Sequence, residues 1–286
     1  MHEFDQRSMF EVSDAEREAK FEALYQNGRG FALWLGNFRD VMTDIRANRL
    51  LSEFVAKKIR ARVKDPAVAE KLIPTTHGFG QRRVPMETNY YETYNRANVT
   101  LVDVREQPIE CITPKGIRTA AQEYELDLII FATGFDAGTG AITRIDIRGS
   151  DGRLIRDKWS REFKTFMGLQ TAGFPNLFMH IGPHAAFCNI PRCAQVTVDW
   201  VTDLACHMRD RGLTRAEPTA AAEDEWTRHA EEEADKTLLT KANSWLMGDN
   251  IPGKPRALLL YAGPAPLFRR KCREVAEGGY RELALR

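Results

Sequence analysis

The sequence lacks any apolar run of the ~18–20 residues that a bilayer-spanning helix needs. It also lacks a charge excess: 41 Lys plus Arg stand against 40 Asp plus Glu, a formal net of +1 in 286 residues. Such a balance gives no general attraction to nucleic acid or to an acidic membrane surface. Cysteine is scarce and odd in number, five in all (Cys111, Cys188, Cys193, Cys206 and Cys272), with no C-x-x-C. The expectation is reduced thiols in a cytoplasmic protein, with neither a disulfide frame nor a zinc site. The first residues, MHEFDQRSMFEVSD, are polar and acidic, unlike a signal or transit peptide.

Several catalytic signatures are missing too. There is no H-E-x-x-H, no His–Cys pairing at ligand spacing with a third ligand, no G-x-S-x-G and no G-x-x-x-x-G-K-[ST]. Zinc hydrolysis, serine acyl transfer and P-loop phosphoryl transfer therefore have no support. The run from Gly134 to Gly140 follows an apolar segment, but Thr143 stands where a third dinucleotide-loop glycine would be. It reads as a tight strand exit.

What is present divides in texture. The first eighty residues look helical. Ser13-Asp14-Ala15-Glu16 has the form of a capping box, and Phe21, Leu24 and Tyr25 give an apolar stripe that Asn27-Gly28 ends. Leu50, Leu51, Phe54, Val55, Ile59 and Val63 recur at threes and fours, which predicts a helix over about 48–63. Asp65-Pro66 starts a third, short one. After Thr75 come β-rich runs at 99–104, 109–112 and 126–132, with a turn at Lys115-Gly116 and a further strand candidate at 177–181. The run LDLIIFA (126–132) is apolar on both faces, which suits a central strand of a sheet covered on both sides. Val196, Trp200, Leu204 and Met208 mark a helix ending at Gly212; a charged helix over 219–238 and a last helix over about 266–277 follow.

Two groups carry chemistry without a complete motif. Arg82-Arg83 follows a Gly-rich turn; paired guanidinium groups bind phosphate through forked donors, and they also occur as solvated surface pairs. Trp245 precedes the stiff loop Asn250–Arg256 and suits either the core or the face of a flat ligand.

Longer runs bring a resemblance. KLIPTTHGFGQRRVPMETNYYETYNRANVTLVDVREQPIECITPKGIRT (71–119), FATGFDAGTGAITRIDIRGSDG (131–152), TFMGLQTAGFPNLF (165–178), NSWLMGDNIPGKPR (243–256) and KCREVAEGGY (271–280) resemble, in order, the Baeyer–Villiger monooxygenases. The resemblance implies an α/β fold class: an incomplete flavin monooxygenase fold with two dinucleotide-binding domains, for FAD and NADP, and a helical insertion. Residues 1–78 would be the helical insertion, 79–130 the C-terminal part of the NADP-binding domain and 131–286 the C-terminal part of the FAD-binding domain. Both G-x-G-x-x-G loops and the F-x-G-x-x-x-H fingerprint of the family are absent. The expectation is therefore a truncated product, a decayed copy or one part of a split enzyme whose N-terminal half is encoded separately. LDLIIFA would then lack its neighbours and expose apolar edges.

The chemistry the resemblance implies uses NADPH, FAD and O2 to insert one oxygen atom next to a ketone carbonyl, giving an ester or lactone. Arg83 matches the active-site arginine, whose fixed charge would stabilise negative charge as it develops. Arg82 stands where members commonly carry Lys and would hold the NADP 2′-phosphate. Trp245 matches a tryptophan that contacts NADP. Gly182-Pro183 opens a flavin-side loop reaching Asn189 and Ile190, which count as cofactor-binding. Ile190 replaces a usual Met, and Phe187 and Cys188 would reshape the substrate wall beside it. A related nitrogen- or sulfur-oxidising flavin enzyme is an alternative, disfavoured because heteroatom oxidation has no need of the anion that Arg83 would stabilise. A non-catalytic fragment is another.

Overall fold

The computed structural model describes residues 5–185 and 189–286. The chain divides into two compact units, Met1–Gly134 and Phe135–Arg286.

The first unit opens with helix α1 (Asp14–Gln26), a short turn α2 (Ala32–Leu35), the long helix α3 (Ile45–Arg62) and α4 (Pro66–Leu72). Ser13 caps α1 by accepting from Glu16 N. The reciprocal half of the capping box is not made, because the Glu16 carboxylate turns to Arg7 at 2.7 Å. Asp44 starts α3 three residues before the apolar periodicity suggested, its carboxylate accepting from Arg46 N. Asp65 caps α4, and Pro66 occupies the first turn, where a missing N–H costs nothing. Phe21, Phe38, Leu51 and Phe54 close the core between α1 and α3.

A turn α5 (Tyr90–Thr93) leads to three antiparallel strands in the order β1 (Ile109–Thr113), β2 (Gly116–Thr119) and β3 (Glu123–Glu125). Thr113 pairs with Gly116, so the hairpin tip is Pro114-Lys115 and Gly116 already belongs to β2. Beyond β3 the expected strand LDLIIFA is absent. Residues 126–136 adopt no regular structure, and Leu128, Ile130 and Phe131 are 74%, 80% and 68% exposed. A central strand exists only where neighbours satisfy its peptide groups, and the described residues offer none. The run at 99–104 also forms no strand; it enters a turn in which Asp103 O accepts from the Glu106 and Gln107 amides.

The second unit holds the turns α6 (Gly140–Thr143) and α7 (Ile155–Lys158), helix α8 (Ile190–Asp210), strand β4 (Ala216–Pro218), helix α9 (Ala220–Asp235), helix α10 (Ala265–Glu277) and strand β5 (Leu283–Leu285), which pairs antiparallel with β4. Trp200 and Leu204 bury the expected face of α8, and Trp200 Nε1 donates to Cys272 O of α10 at 3.1 Å. Residues 177–181 form no strand; Met179 N instead bonds Leu169 O at 2.7 Å. A buried ion pair fixes α9 to the end of α7, and hydrogen bonds tie it to the segment that follows. Lys158 Nζ lies 2.8 Å from both Glu223 oxygens, and Thr171 Oγ1 and Ala172 N donate to the same carboxylate. Cys111, Cys206 and Cys272 are free thiols, but Cys193 is disulfide-bonded, a departure from the expectation that every cysteine is reduced.

Candidate functional site

In the first unit the arginine pair is placed by the turn that leaves the helical part. Asn48 and Ser52 stand one helical turn apart on α3. Buried Asn48 donates through Nδ2 to Val41 O and Phe79 O, and Ser52 Oγ accepts from Phe79 N at 2.9 Å. Gln81 Oε1 accepts from Gly78 N. Gly80 has φ +80°, and a Cβ there would lie 2.8 Å from both Met42 Sδ and Trp34 Nε1. Only glycine fits between turn and tryptophan.

The next side chains are delivered to one place. The exposed Arg83 guanidinium lies 4.4 Å above the Phe31 ring and 5.7 Å from Trp34. Among the described residues its acceptor is Val84 O, at 2.9 Å from Nη1. An aromatic shelf contributes about 0.5–1 kcal/mol at such a site and holds the cation without consuming its remaining donors. Arg82 is half-buried, and its Nε is a buried donor with no partner. Burial, followed by the charge of Arg82, pushes His77 below the usual imidazole range. The surroundings thus resist further positive charge and suit an anion.

In the second unit, Trp245 opens a short turn over Trp245–Met247. Leu246 and Met247 anchor it among Ala234, Leu258 and Leu260. Trp245 itself is 39% exposed, so it is not a core tryptophan. Lys254 Nζ reaches Asp136 Oδ1 at 2.6 Å and Ala137 O at 2.8 Å, and Asn250 Nδ2 donates to Phe135 O at 2.9 Å. These three bonds fasten the Trp245 loop to the ATGFD run. Sequence reading singled out both segments but not their pairing, since an ion pair 118 residues apart leaves no local signal.

The loop from Gly182 is held on two sides. Gly182 N bonds Gly168 O at 2.9 Å, Thr165 Oγ1 donates to Pro183 O, His184 N to Leu259 O, and Tyr261 N to Ala185 O. Leu259 N in turn bonds Leu246 O at 2.8 Å, so one segment braces both this loop and the turn bearing Trp245. Gly168 has φ +66°, and its Cβ would fall 2.4 Å from Ala185 N. Asn189 caps α8 by accepting from Arg192 N, and Ile190 is half exposed. Phe187 and Cys188 lie outside the described residues. His184 is 2% exposed, its Nδ1 has no partner, and burial lowers its pKa to about 4. Among the described residues no group of three or more His, Cys, Asp or Glu is placed to hold a metal.

The structure places Arg82 and Arg83 in the first unit, and Trp245, Asn189 and Ile190 in the second. No family model matches the sequence. A monooxygenase of Pseudomonas putida that acts on 2-oxo-Δ3-4,5,5-trimethylcyclopentenylacetyl-CoA is 48% identical across 98% of this chain, which covers 52% of that relative. A Baeyer–Villiger monooxygenase of Pseudooceanicola batsensis is 43% identical across 95% of the chain, covering 50% of its own length. Over nearly its whole length the chain is similar to Baeyer–Villiger monooxygenases, matching about half of each. The crystal structure of OTEMO with FAD and NADP matches 100% of the chain and 53% of its own, with TM-score 0.95 and 48% identity. That match confirms the flavin monooxygenase fold in partial form. A phenazine N-monooxygenase of Lysobacter antibioticus is also similar, 39% identical across 97% of the chain and 51% of its own length. The chain spans about half the length of the curated relatives it matches.

Proposed function

We propose that this chain supplies the Arg82–Arg83 and Trp245 components of an NADPH- and FAD-dependent centre that inserts one atom of O2 next to a ketone carbonyl. Residues 1–78 then act as the helical insertion, 79–130 as the returning part of the NADP-binding domain and 131–286 as that of the FAD-binding domain. The remainder of the centre comes from polypeptide equivalent to the part of the relatives that this chain does not span, whether continuous with it or encoded separately. NADPH supply puts the reaction in the cytoplasm.

The observation that carries the reading is the state of the two arginines. Arg82 presents a buried Nε with no acceptor, and Arg83 an exposed guanidinium propped on Phe31. An unsatisfied buried donor is costly unless a ligand completes it, and a phosphate does so. FAD, when bound, supplies the electron carriage and O2 activation. Arg83 holds a permanent positive charge where negative charge develops, and its shelf fixes it there before reaction. Arg82 binds the anionic end of NADPH. Trp245 covers a flat ring with its exposed face. Asn189 and Ile190, at the start of α8, border the cofactor.

The experiment combines this chain with the unmatched half of the Pseudomonas putida relative, FAD, NADPH, 18O2 and a panel of cyclic ketones. One 18O atom in an ester or lactone is expected. NADPH consumption that yields only hydrogen peroxide overturns the reading. A second reading, oxidation of an aromatic ring nitrogen, is favoured by the similarity to the phenazine N-monooxygenase. With phenazine added to the panel, its N-oxide as the only labelled product would establish it instead.

A further inference from the structure

We infer that Tyr261 is a redox site: its phenol yields an electron to a one-electron oxidant while its proton passes to His229, and Trp226 relays the electron. This inference takes from the oxygenase reading only the source of the oxidant, a radical derived from peroxide that escapes oxygen activation.

The first observation is the placement of three rings in the second unit. Trp226 and His229 stand three apart on α9, so both leave the helix on one side. The Trp226 and Tyr261 rings stack, with 5.2 Å between centroids and 29° between planes. The His229 ring lies 5.5 Å from Tyr261 and 5.4 Å from Trp226. Its Nε2 is 2.9 Å from the Tyr261 hydroxyl. Phe268 of α10 closes the cluster at 5.8 Å from both Trp226 and Tyr261. Trp226 and Tyr261 are buried and His229 is half-buried. Tyr261 N donates to Ala185 O, and Leu259 N to Leu246 O, so the segment bearing the phenol also braces the 182–185 loop and the Trp245 turn.

The second observation is where the polar atoms can send a proton. Phe and Leu would fill these places as well if packing were the whole role. Instead the phenol meets an imidazole, the side chain suited to take up a proton near neutrality. Gly263 keeps the hydroxyl in position, since a Cβ there would fall 2.3 Å from the phenol oxygen. Burial, followed by the charge of Glu233, pushes the Tyr261 phenol up to about 12. The resting phenol therefore keeps its proton, which leaves only when an electron does. Trp226 Nε1 is buried with no partner. An oxidised indole there has no acceptor for its proton, so the electron deficit moves on to the stacked phenol, which has one.

The oxidising radical gains one electron and leaves as its anion. The phenol O–H bond breaks, the proton goes to His229 Nε2, and a neutral tyrosyl radical remains beside an imidazolium. A small thiolate returns the electron and the imidazolium returns the proton. Two of the resulting thiyl radicals couple as a disulfide. The oxidising equivalent thus leaves the core without a lasting covalent change to the protein.

The test irradiates the full chain, without flavin, with ruthenium tris-bipyridine as photo-oxidant and persulfate as electron sink. Transient absorbance and freeze-quenched electron paramagnetic resonance follow tyrosyl radicals. The parent should give a long-lived radical, because a buried ring cannot couple with others in solution. Tyr261→Phe should abolish it, and Trp226→Phe should slow its formation. His229→Gln keeps an acceptor for the phenol but no base, and should slow formation by about 100-fold or more. Imidazole added to His229→Ala should restore much of the rate, which a merely structural role of His229 would not allow. Tyr90→Phe, at a 48% exposed site in the first unit, should leave the long-lived signal as in the parent. A long-lived radical that survives Tyr261→Phe overturns the inference, as does parent-rate formation in His229→Gln or a parent that gives only short-lived signals. Failure of imidazole to restore a His229→Ala chain whose circular dichroism matches the parent also overturns it. No flavin takes part, so a radical without ester formation counts against the oxygenase reading alone, and ester formation without the radical against this inference alone.

Discussion

His184 shows how one side chain sets a pH dependence. Its imidazole is buried, lacks an Nδ1 partner, and titrates at about 4 rather than 6.5. Between these values the unfolded chain takes up a proton that the native state refuses, so stability falls as pH drops from 6.5 toward 4. The full loss is on the order of 3 kcal/mol. Urea unfolding across that range should show the loss in the parent. His184→Asn should flatten the difference, since Asn tolerates the positive φ of 64° found there. An unchanged pH slope in the variant would show that His184 is not its source. At the residue scale the sequence marked out exposed candidates: Arg83 and Trp245 were named from their runs, and both are exposed. The aromatic shelf beneath Arg83 was not legible, because Phe31 and Trp34 lie about fifty residues upstream and meet it only through the Gly80 turn.

At the scale of elements, helices were the most readable because periodicity and caps act within a few residues. The α3 and α8 faces follow their apolar spacing, and Asp65-Pro66 starts α4 as its chemistry requires. Strands were less readable because pairing is decided elsewhere in the chain. Of the runs expected to be strands, 109–112 became one because a tight turn returns a partner to it, whereas 99–104, 126–132 and 177–181 found none. The same lesson holds for the loop bearing Trp245, whose anchor lies at Asp136. Lys254 is nearly buried there, with its side chain 6% exposed and that of Asp136 23%. Lys254→Met keeps the aliphatic stem near Phe163 but leaves the carboxylate unpaired. Amide exchange in residues 244–256 should rise about 10-fold as this segment opens locally, and Lys254→Arg should restore much of the protection. Exchange that does not change would mean the loop is held by its Pro and backbone contacts without the ion pair.

For the molecule as a whole, the incomplete plan was legible, and its physical consequence is visible. Two units fold around their own cores, yet the apolar 126–131 run between β3 and the second unit stays in water. Burying it requires strands the described residues do not provide. The two arginines belong to the first unit and Trp245 to the second. The central claim is that Arg83 supplies the charge that the oxygen-insertion step needs, and the Arg83→Ala variant of the reconstituted assembly tests it most directly. Flavin reduction by NADPH, followed by its absorbance, should persist near the parent rate. Ester formation should fall by about 100-fold or more, as expected for removing a stabilising charge, and Arg83→Lys should recover only part of it. Ester formed by the Ala variant at the parent rate would contradict the account.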